Sequence, residues 1–201
     1  MKDFLRFLFS KTYDYRDGWA GIGDHADIAL EKSITDVKYH FPELSSEEVI
    51  QKIQSNSNEL PVFLYRLGNE VYNGSADERL LGAIHWIMRE CCACEIYYSN
   101  QIGEGLYIMH GIGTVIGSRN IIGRGFKIYQ NCTVGHKQGE TGGCVIGSDV
   151  TMFAGSQIIG RVNIGDNVVI GSRSLVLDDM PSGVVCYGSP AAIKGATGGN
   201  E

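Results

Sequence analysis

The chain has 201 residues, a mass of 21.9 kDa, a net charge of −6 and a pI near 5.4. That length can bury a sizeable core in one domain or one and a half, and the acidic balance argues against nucleic acid or an anionic membrane surface as the main partner. No apolar run reaches the roughly 20 residues that a membrane span requires.

The N-terminal segment contains one short apolar patch, FLRFLF, which is interrupted by Arg6. An export signal has an unbroken apolar centre and a small-residue cleavage site, and we find neither in the opening residues. The spacing of the apolar residues instead predicts an amphipathic first helix, and we expect a cytoplasmic protein.

The chain contains six cysteines: Cys91, Cys92, Cys94, Cys132, Cys144 and Cys186. The CCAC cluster has no second group of ligands at the spacing of a zinc finger. We therefore predict six reduced thiols, several of them buried, and no metal site.

Residues 1–94 have helical periodicity. SSEEVIQKIQ places serines ahead of glutamates, which predicts a capped helix start, and ELPVFLYRLGNEVYNG predicts a helix that stops at Asn73-Gly74. ADERLLGAIHWIMRECCAC repeats the apolar pattern, and we interpret His85 within it as a structural residue.

From Ile96 the period changes to six residues, which fits neither a helix nor a long alternating strand. Each unit must then be a very short strand and a turn, stacked into a solenoid with inward-pointing aliphatic ladders. The repeating apolar positions are Ile96, Ile102, Ile108, Ile116, Ile122, Ile128, Val134, Ile146, Met152, Ile158, Ile164, Ile170 and Val176.

The repeat breaks twice. The step from Ile108 to Ile116 is eight residues, and we expect its two extra residues among Gly111–Thr114, so that the chain bulges and turns His110 out of the stack. A histidine is suited to removing a proton from an alcohol near neutral pH. The step from Val134 to Ile146 is twelve residues and predicts a polar loop.

The hexapeptide pattern resembles the left-handed parallel β-helix of the hexapeptide-repeat acyltransferases. EIYYSNQIGEGLYIMHGIGTVIG and YGSPAAIKG resemble the serine acetyltransferase family more specifically, over about residues 62–195. The resemblance implies a mainly β fold with an α-helical N-terminal region, a homotrimer that can pair into a dimer of trimers, and acetyl-CoA as co-substrate in the cleft between neighbouring chains.

The resemblance also implies roles for individual residues. The family's catalytic histidine falls on His110, and its aspartate partner, fifteen residues earlier, falls on Glu95. Glu95 would orient the imidazole and stabilise the imidazolium. Backbone amides near Gly111–Gly113 or Gly135 are the candidate donors to the oxyanion.

The acceptor site departs from the family. The aspartate that contacts serine is replaced by Met109, and the Arg-His pair of the polar loop is missing, although His136 or Lys137 could compensate. Because Arg–carboxylate contacts are hard to replace, we expect a sugar or surface-polysaccharide hydroxyl as the acceptor. Two alternatives stay open: serine O-acetylation for cysteine biosynthesis, and a non-catalytic trimeric scaffold.

The donor site follows the family more closely. Small residues at Ala154, Gly155 and Ser172 correspond to those that let pantetheine lie against the prism, and Lys194 or Arg173 would contact a CoA phosphate. The predicted organisation is a helical region over 1–94, a β-helix over 95–195 and a flexible tail over 196–201.

Overall fold

The computed structural model describes residues 1–13 and 17–198. Its helical elements are α1 (Lys2–Phe9), a 3₁₀ turn (Gly18–Gly21), α2 (Gly23–His40), α3 (Ser46–Ser55), α4 (Leu60–Asn73) and α5 (Glu78–Cys92). The strands that follow are β1 (Glu95–Ile96), β2 (Gln101–Ile102), β3 (Tyr107–Ile108), β4 (Val115–Ile116), β5 (Ile121–Ile122), β6 (Lys127–Ile128), β7 (Thr133–Gly135), β8 (Val145–Ile146), β9 (Thr151–Met152), β10 (Gln157–Ile159), β11 (Asn163–Ile164), β12 (Val169–Ile170), β13 (Leu175–Val176), β14 (Val184–Gly188) and β15 (Ala191–Ala196).

The strands form a left-handed parallel β-helix of about five turns, as the resemblance to the hexapeptide-repeat acyltransferases implies. Face A is the sheet β1-β4-β7-β10-β13, face B is β2-β5-β8-β11, and face C is β3-β6-β9-β12-β14, to which β15 adds an antiparallel edge strand. Three edges, named by the faces they join in chain order, connect these sheets: the A–B edge, the B–C edge and the C–A edge.

Inward-pointing aliphatic side chains fill the prism. All thirteen repeat positions predicted to face inward are buried, with Ile102 the most exposed of them at 7%. Short strands alternate one inward and one outward residue, so a six-residue step returns an aliphatic side chain to the core on each face. The predicted solenoid is therefore confirmed.

The helical predictions for the N-terminal region are confirmed at their boundaries. Ser45 caps α3 in a capping box with Glu48, and α4 ends at Asn73. In α1 the buried residues are Leu5, Leu8 and Phe9, which makes this helix amphipathic. None of the helices in the described ranges is long and apolar enough to cross a membrane.

A buried ion pair joins the helical region to the first coil. The Arg66 guanidinium donates to both carboxylate oxygens of Asp36 at 2.8 Å, and to the carbonyls of Ile102 and Gly103 at 2.7 Å. The Asp36 carboxylate in turn accepts from the Gly105 amide at 2.8 Å. Because every contact is a hydrogen bond to a buried charge, this cluster fixes α2 and α4 against the solenoid.

The C-terminal end of the chain closes the prism. β15 ends at Ala196, and the Thr197 amide donates to the Gly183 carbonyl at 2.8 Å. The last three residues of the segment predicted as a tail, 199–201, lie outside the described residues.

Removing the buried carboxylate should destabilise the protein strongly. We expect Asp36→Ala to lower the free energy of unfolding by about 3–5 kcal/mol, since it leaves the Arg66 charge buried and uncompensated. Urea unfolding at fixed protein concentration measures this change.

The control is Lys32→Ala, which removes the partner of Glu70 in an ion pair whose lysine side chain is 48% exposed. This variant should lose less than about 1 kcal/mol. Equal losses for the two variants would contradict the role assigned to the buried pair.

Candidate active site

The eight-residue step contains a two-residue insertion at the C–A edge. The Met109 amide donates to the Ile128 carbonyl at 2.9 Å, and the Asn131 amide donates to the Ile112 carbonyl at 2.9 Å. The same pair of ladder bonds recurs one coil further on, from the Tyr129 amide and to the Gln130 carbonyl, and there the corresponding positions are adjacent. The residues in excess are therefore 110–111.

This assignment corrects the expected position of the insertion, which was Gly111–Thr114. Gly113 has φ +73° and stacks on Asn131, which has φ +57°, so Gly113 occupies the regular left-handed position of this edge. His110 adds a second left-handed residue, with φ +59°, at the same turn. The candidate base is itself part of the insertion.

His110 leaves the stack and is held from outside the solenoid. His110 is exposed, whereas Ile108 before it and Thr114 after it are buried. The His110 amide donates to the Asn58 side-chain oxygen at 2.9 Å. Asn58 lies just before α4, so the helical region fixes the backbone of the candidate base.

Asn58 also contacts Met109, the residue at the candidate acceptor position. The Asn58 amide nitrogen lies 3.9 Å from the Met109 sulfur, and the Tyr107 hydroxyl lies 3.9 Å from the same sulfur. Burial raises the pKa of the Tyr107 phenol, which therefore stays neutral. Sequence reasoning did not find Asn58, because a loop asparagine carries no periodic signal and lies 52 residues from its partner.

Glu95 lies in the coil beside the insertion, and its amide donates to the Thr114 carbonyl at 2.9 Å. Its carboxylate is 3.6 Å from His85 Nε2 and 3.9 Å from Arg89 Nε, both on α5. Glu95 was expected to contact His110, but within residues 1–13 and 17–198 the two side chains form no hydrogen bond or ion pair. The side chain of Glu95 projects from face A towards α5, whereas His110 is held towards α4.

A groove of about 610 Å³ opens around this carboxylate. Its lining combines aromatic and charged side chains, namely Trp86, Tyr97 and Tyr98 with His85, Arg89 and Glu95. The His85 ring also contacts Tyr97 edge-on, with 5.2 Å between ring centroids. His85 is thus a packed residue that also faces the candidate orienting carboxylate.

The donor-site candidates lie on the same edge of the prism as His110. Ala154, Gly155 and Ser172 all belong to C–A turns, and the Arg173 amide donates to the Ala154 carbonyl at 2.9 Å. Gly155 has φ +73°, a conformation that glycine adopts without strain. An elongated ligand lying along this edge would pass these residues and reach His110.

Three other candidates lie elsewhere in the chain. Gly135, His136 and Lys137 are at the A–B edge, on the other side of face A from His110. His136 Nε2 is buried without a hydrogen-bond partner in the described part of the chain, and Lys137 is exposed. A single chain therefore does not bring these residues to His110.

Lys194 lies on β15, at the end of face C. Its ammonium is exposed to solvent and lies 5.4 Å from the centroid of the Tyr187 ring. This cation–π contact orients the side chain without neutralising it, so the charge is available to an anionic ligand.

The thiols are free, and five of the six are buried. Its hydrogen bond with Cys94 raises the pKa of the Cys92 thiol, and burial raises it further. The Cys92 thiol is therefore a poor nucleophile. Within residues 1–13 and 17–198, no group of three or more histidines, cysteines and acidic residues could hold a metal ion.

Comparison with known proteins gives a consistent set of relatives, although no family model matches the chain. The serine acetyltransferase of Synechococcus elongatus is 38% identical over 101 residues, which cover 49% of this chain and only 41% of that protein. The serine acetyltransferase of Staphylococcus aureus is 31% identical over 169 residues, which cover 83% of this chain and 78% of that protein.

Solved structures share the fold over nearly the whole chain. The serine acetyltransferase of Neisseria gonorrhoeae has a TM-score of 0.81 at 22% identity, covering 99% of this chain and 80% of that chain. The Brucella abortus serine acetyltransferase in complex with coenzyme A has a TM-score of 0.79 at 20% identity, covering 99% and 83%. At these identities the structures establish the fold, and the Staphylococcus relative establishes the family. The chain belongs to the serine acetyltransferase family and is an acyltransferase.

Proposed function

We propose that this protein transfers the acetyl group of acetyl-CoA to the hydroxyl of L-serine. The observation that carries the proposal is the insertion of 110–111, which places an exposed histidine on the edge that also holds the donor-site candidates Ala154, Gly155 and Ser172. The scaffold alternative gives no reason for a regular prism to break register at a histidine.

In the proposed reaction His110 acts as general base. Its imidazole takes the hydroxyl proton as the serine oxygen attacks the thioester carbonyl, and a tetrahedral oxyanion forms. The C–S bond then breaks, and the CoA thiolate leaves and takes the proton back from the imidazolium. Both substrates are bound together, so no covalent enzyme intermediate is needed.

The oxyanion requires a donor that is not already used in the fold. Of the candidate amides at Gly111–Gly113, that of Ile112 bonds to His110 and that of Gly113 bonds to Ala93. Among the described hydrogen bonds the Gly111 amide has no acceptor, and it adjoins the base. We therefore assign the oxyanion contact to Gly111, and Gly135 stays the alternative.

Glu95 is proposed to orient the imidazole and to stabilise its positive charge during turnover. This role requires the carboxylate to turn from His85 and Arg89 towards His110. The turn that follows His110 lies beside Glu95, since the Gly113 amide donates to the Ala93 carbonyl and the Glu95 amide donates to the Thr114 carbonyl.

For the donor, Ala154, Gly155 and Ser172 would lie against pantetheine, and Lys194 or Arg173 would contact a phosphate of acetyl-CoA. The Brucella relative is described as a complex with coenzyme A, which supports this assignment. We also propose a homotrimer that can pair into a dimer of trimers, and a cytoplasmic location. Within one chain the A–B edge lies away from His110. In a trimer, the A–B edge of a neighbouring chain can lie beside His110 instead.

The acceptor proposed here differs from the one expected from the sequence. A sugar acceptor was favoured by Met109 and by the missing Arg-His pair, but the relatives found by comparison are serine acetyltransferases and give a saccharide no support. We therefore propose serine, in agreement with the alternative considered from sequence. Met109, His136 and Lys137 stay the candidate acceptor-binding residues.

A thiol-release assay with acetyl-CoA tests the proposed function. We expect turnover with L-serine, and a loss of about 10²–10⁴-fold in kcat for His110→Ala, because the general base is removed. The matched control is His25→Ala, which changes a histidine on α2 outside the candidate site.

Two outcomes of that assay would contradict the proposal. Turnover on a panel of sugars with none on serine would reinstate the saccharide acceptor. Absence of turnover and of CoA binding would favour the scaffold alternative.

Asn58 should affect catalysis through His110. We expect Asn58→Ala to lower kcat about tenfold, as loss of one hydrogen bond worth ~1.4 kcal/mol releases the backbone of the base, while KM for acetyl-CoA stays unchanged. Asn58→Asp keeps an oxygen acceptor for the His110 amide and should recover most of the rate.

Urea unfolding of both Asn58 variants separates positioning from stability. A variant with parental stability and reduced kcat supports the positioning role. An Asn58→Ala enzyme with unchanged kcat, or one whose loss Asn58→Asp does not recover, contradicts it.

A further inference from the structure

The A–B edge gathers basic side chains around the polar loop 136–144. His136 and Lys137 begin this loop, and Arg161 lies in the next coil at the same edge. The two turns are in contact, since the Gly160 amide donates to the Gly135 carbonyl at 2.9 Å. The chain as a whole carries a net charge of −6, so this edge is a basic patch on an acidic protein.

Packing against two glycines holds the basic side chains close to the backbone. A Cβ atom at Gly142 would lie 3.1 Å from Arg161 Nε, so the guanidinium rests directly on the loop. A Cβ atom at Gly160 would lie 3.1 Å from Lys137 Cε, so the lysine stem crosses the neighbouring turn. A side chain at either position would crowd the cation beside it.

Two of the acidic groups at this edge, those of Glu140 and Asp179, accept hydrogen bonds from backbone amides. The Glu140 carboxylate accepts from the Lys137 backbone amide at 2.9 Å, and the Asp179 carboxylate accepts from the Asn163 amide at 2.7 Å. Across the described ranges, the side chains of Lys137 and Arg161 form no ion pair. Buried His136 Nε2 is likewise without a partner there.

From this arrangement we infer that His136, Lys137 and Arg161 form an anion-binding subsite for a phosphate or carboxylate group. A planar guanidinium matches both anions in a bidentate manner, and an adjacent ammonium and imidazole add charge and hydrogen bonds. The inference rests on the proposed function for the source of the anion, which is either a CoA phosphate or the carboxylate of the acceptor. Arg161 was not among the residues predicted from sequence.

Binding of inorganic phosphate and of acetate tests the subsite directly. The chain has five histidines, so selective labelling of histidine rings gives few NMR signals, and His136→Asn assigns the relevant one. At constant ionic strength we expect both anions to shift the His136 ring signals saturably. Arg161→Gln should weaken this binding about tenfold or more.

Arg124→Gln is the matched control, because Arg124 is an exposed arginine at the B–C edge of the same prism. It should bind both anions as the parent protein does. A His136 signal that does not saturate, or equal affinities for the two arginine variants, would overturn the inference.

Pairs of ligands identify the source of the anion. If Arg161→Gln weakens the binding of CoA, the subsite is assigned to a phosphate: the 3′-phosphate if the binding of 3′-dephospho-CoA is unchanged, and the diphosphate if it is weakened equally. If Arg161→Gln weakens the binding of L-serine but not that of L-serinamide, the subsite is assigned to a carboxylate. Unchanged binding of all four ligands would overturn the functional role. If turnover on serine is absent while phosphate still binds, the proposed function fails and the subsite stands.

Discussion

The stacking register of the coils is the constraint on which the rest of the structure depends. Each regular turn uses 18 residues, so that every edge residue lies over its counterpart and every inward aliphatic lies in its ladder. A chain held in this way can accept additional residues only at an edge. Both insertions occur there, at 110–111 and in the loop 136–144, and both carry candidate functional groups.

The helical region contributes geometry rather than chemistry. The buried pair of Arg66 and Asp36 fixes α4 against the first coil, and Asn58, two residues before α4, accepts a hydrogen bond from the amide of His110. A left-handed histidine costs conformational energy, and an external hydrogen bond offsets that cost. The position of the base thus depends on two parts of the chain that are far apart in sequence.

Periodic features could be predicted from the sequence, and single contacts could not. The aliphatic ladder repeats many times, so its solenoid and its two breaks were recognisable. The insertion was expected among Gly111–Thr114 and lies at 110–111. Asn58, Arg161 and the Asp36–Arg66 pair lack any repeat and are defined only by folding. The pairing of Glu95 with His85 was missed for the same reason. The sugar acceptor was inferred from Met109 and from the missing Arg-His pair, and the comparisons with known proteins give it no support.

The most direct test of the account is a variant that lacks residues 110 and 111, which restores an 18-residue first coil. We expect it to fold with a free energy of unfolding within about 1 kcal/mol of the parent, because the insertion lies outside the ladder. It should bind CoA and show no serine-dependent thiol release. Loss of the folded prism, or turnover at the parental rate, would contradict the claim that this insertion exists to present the base.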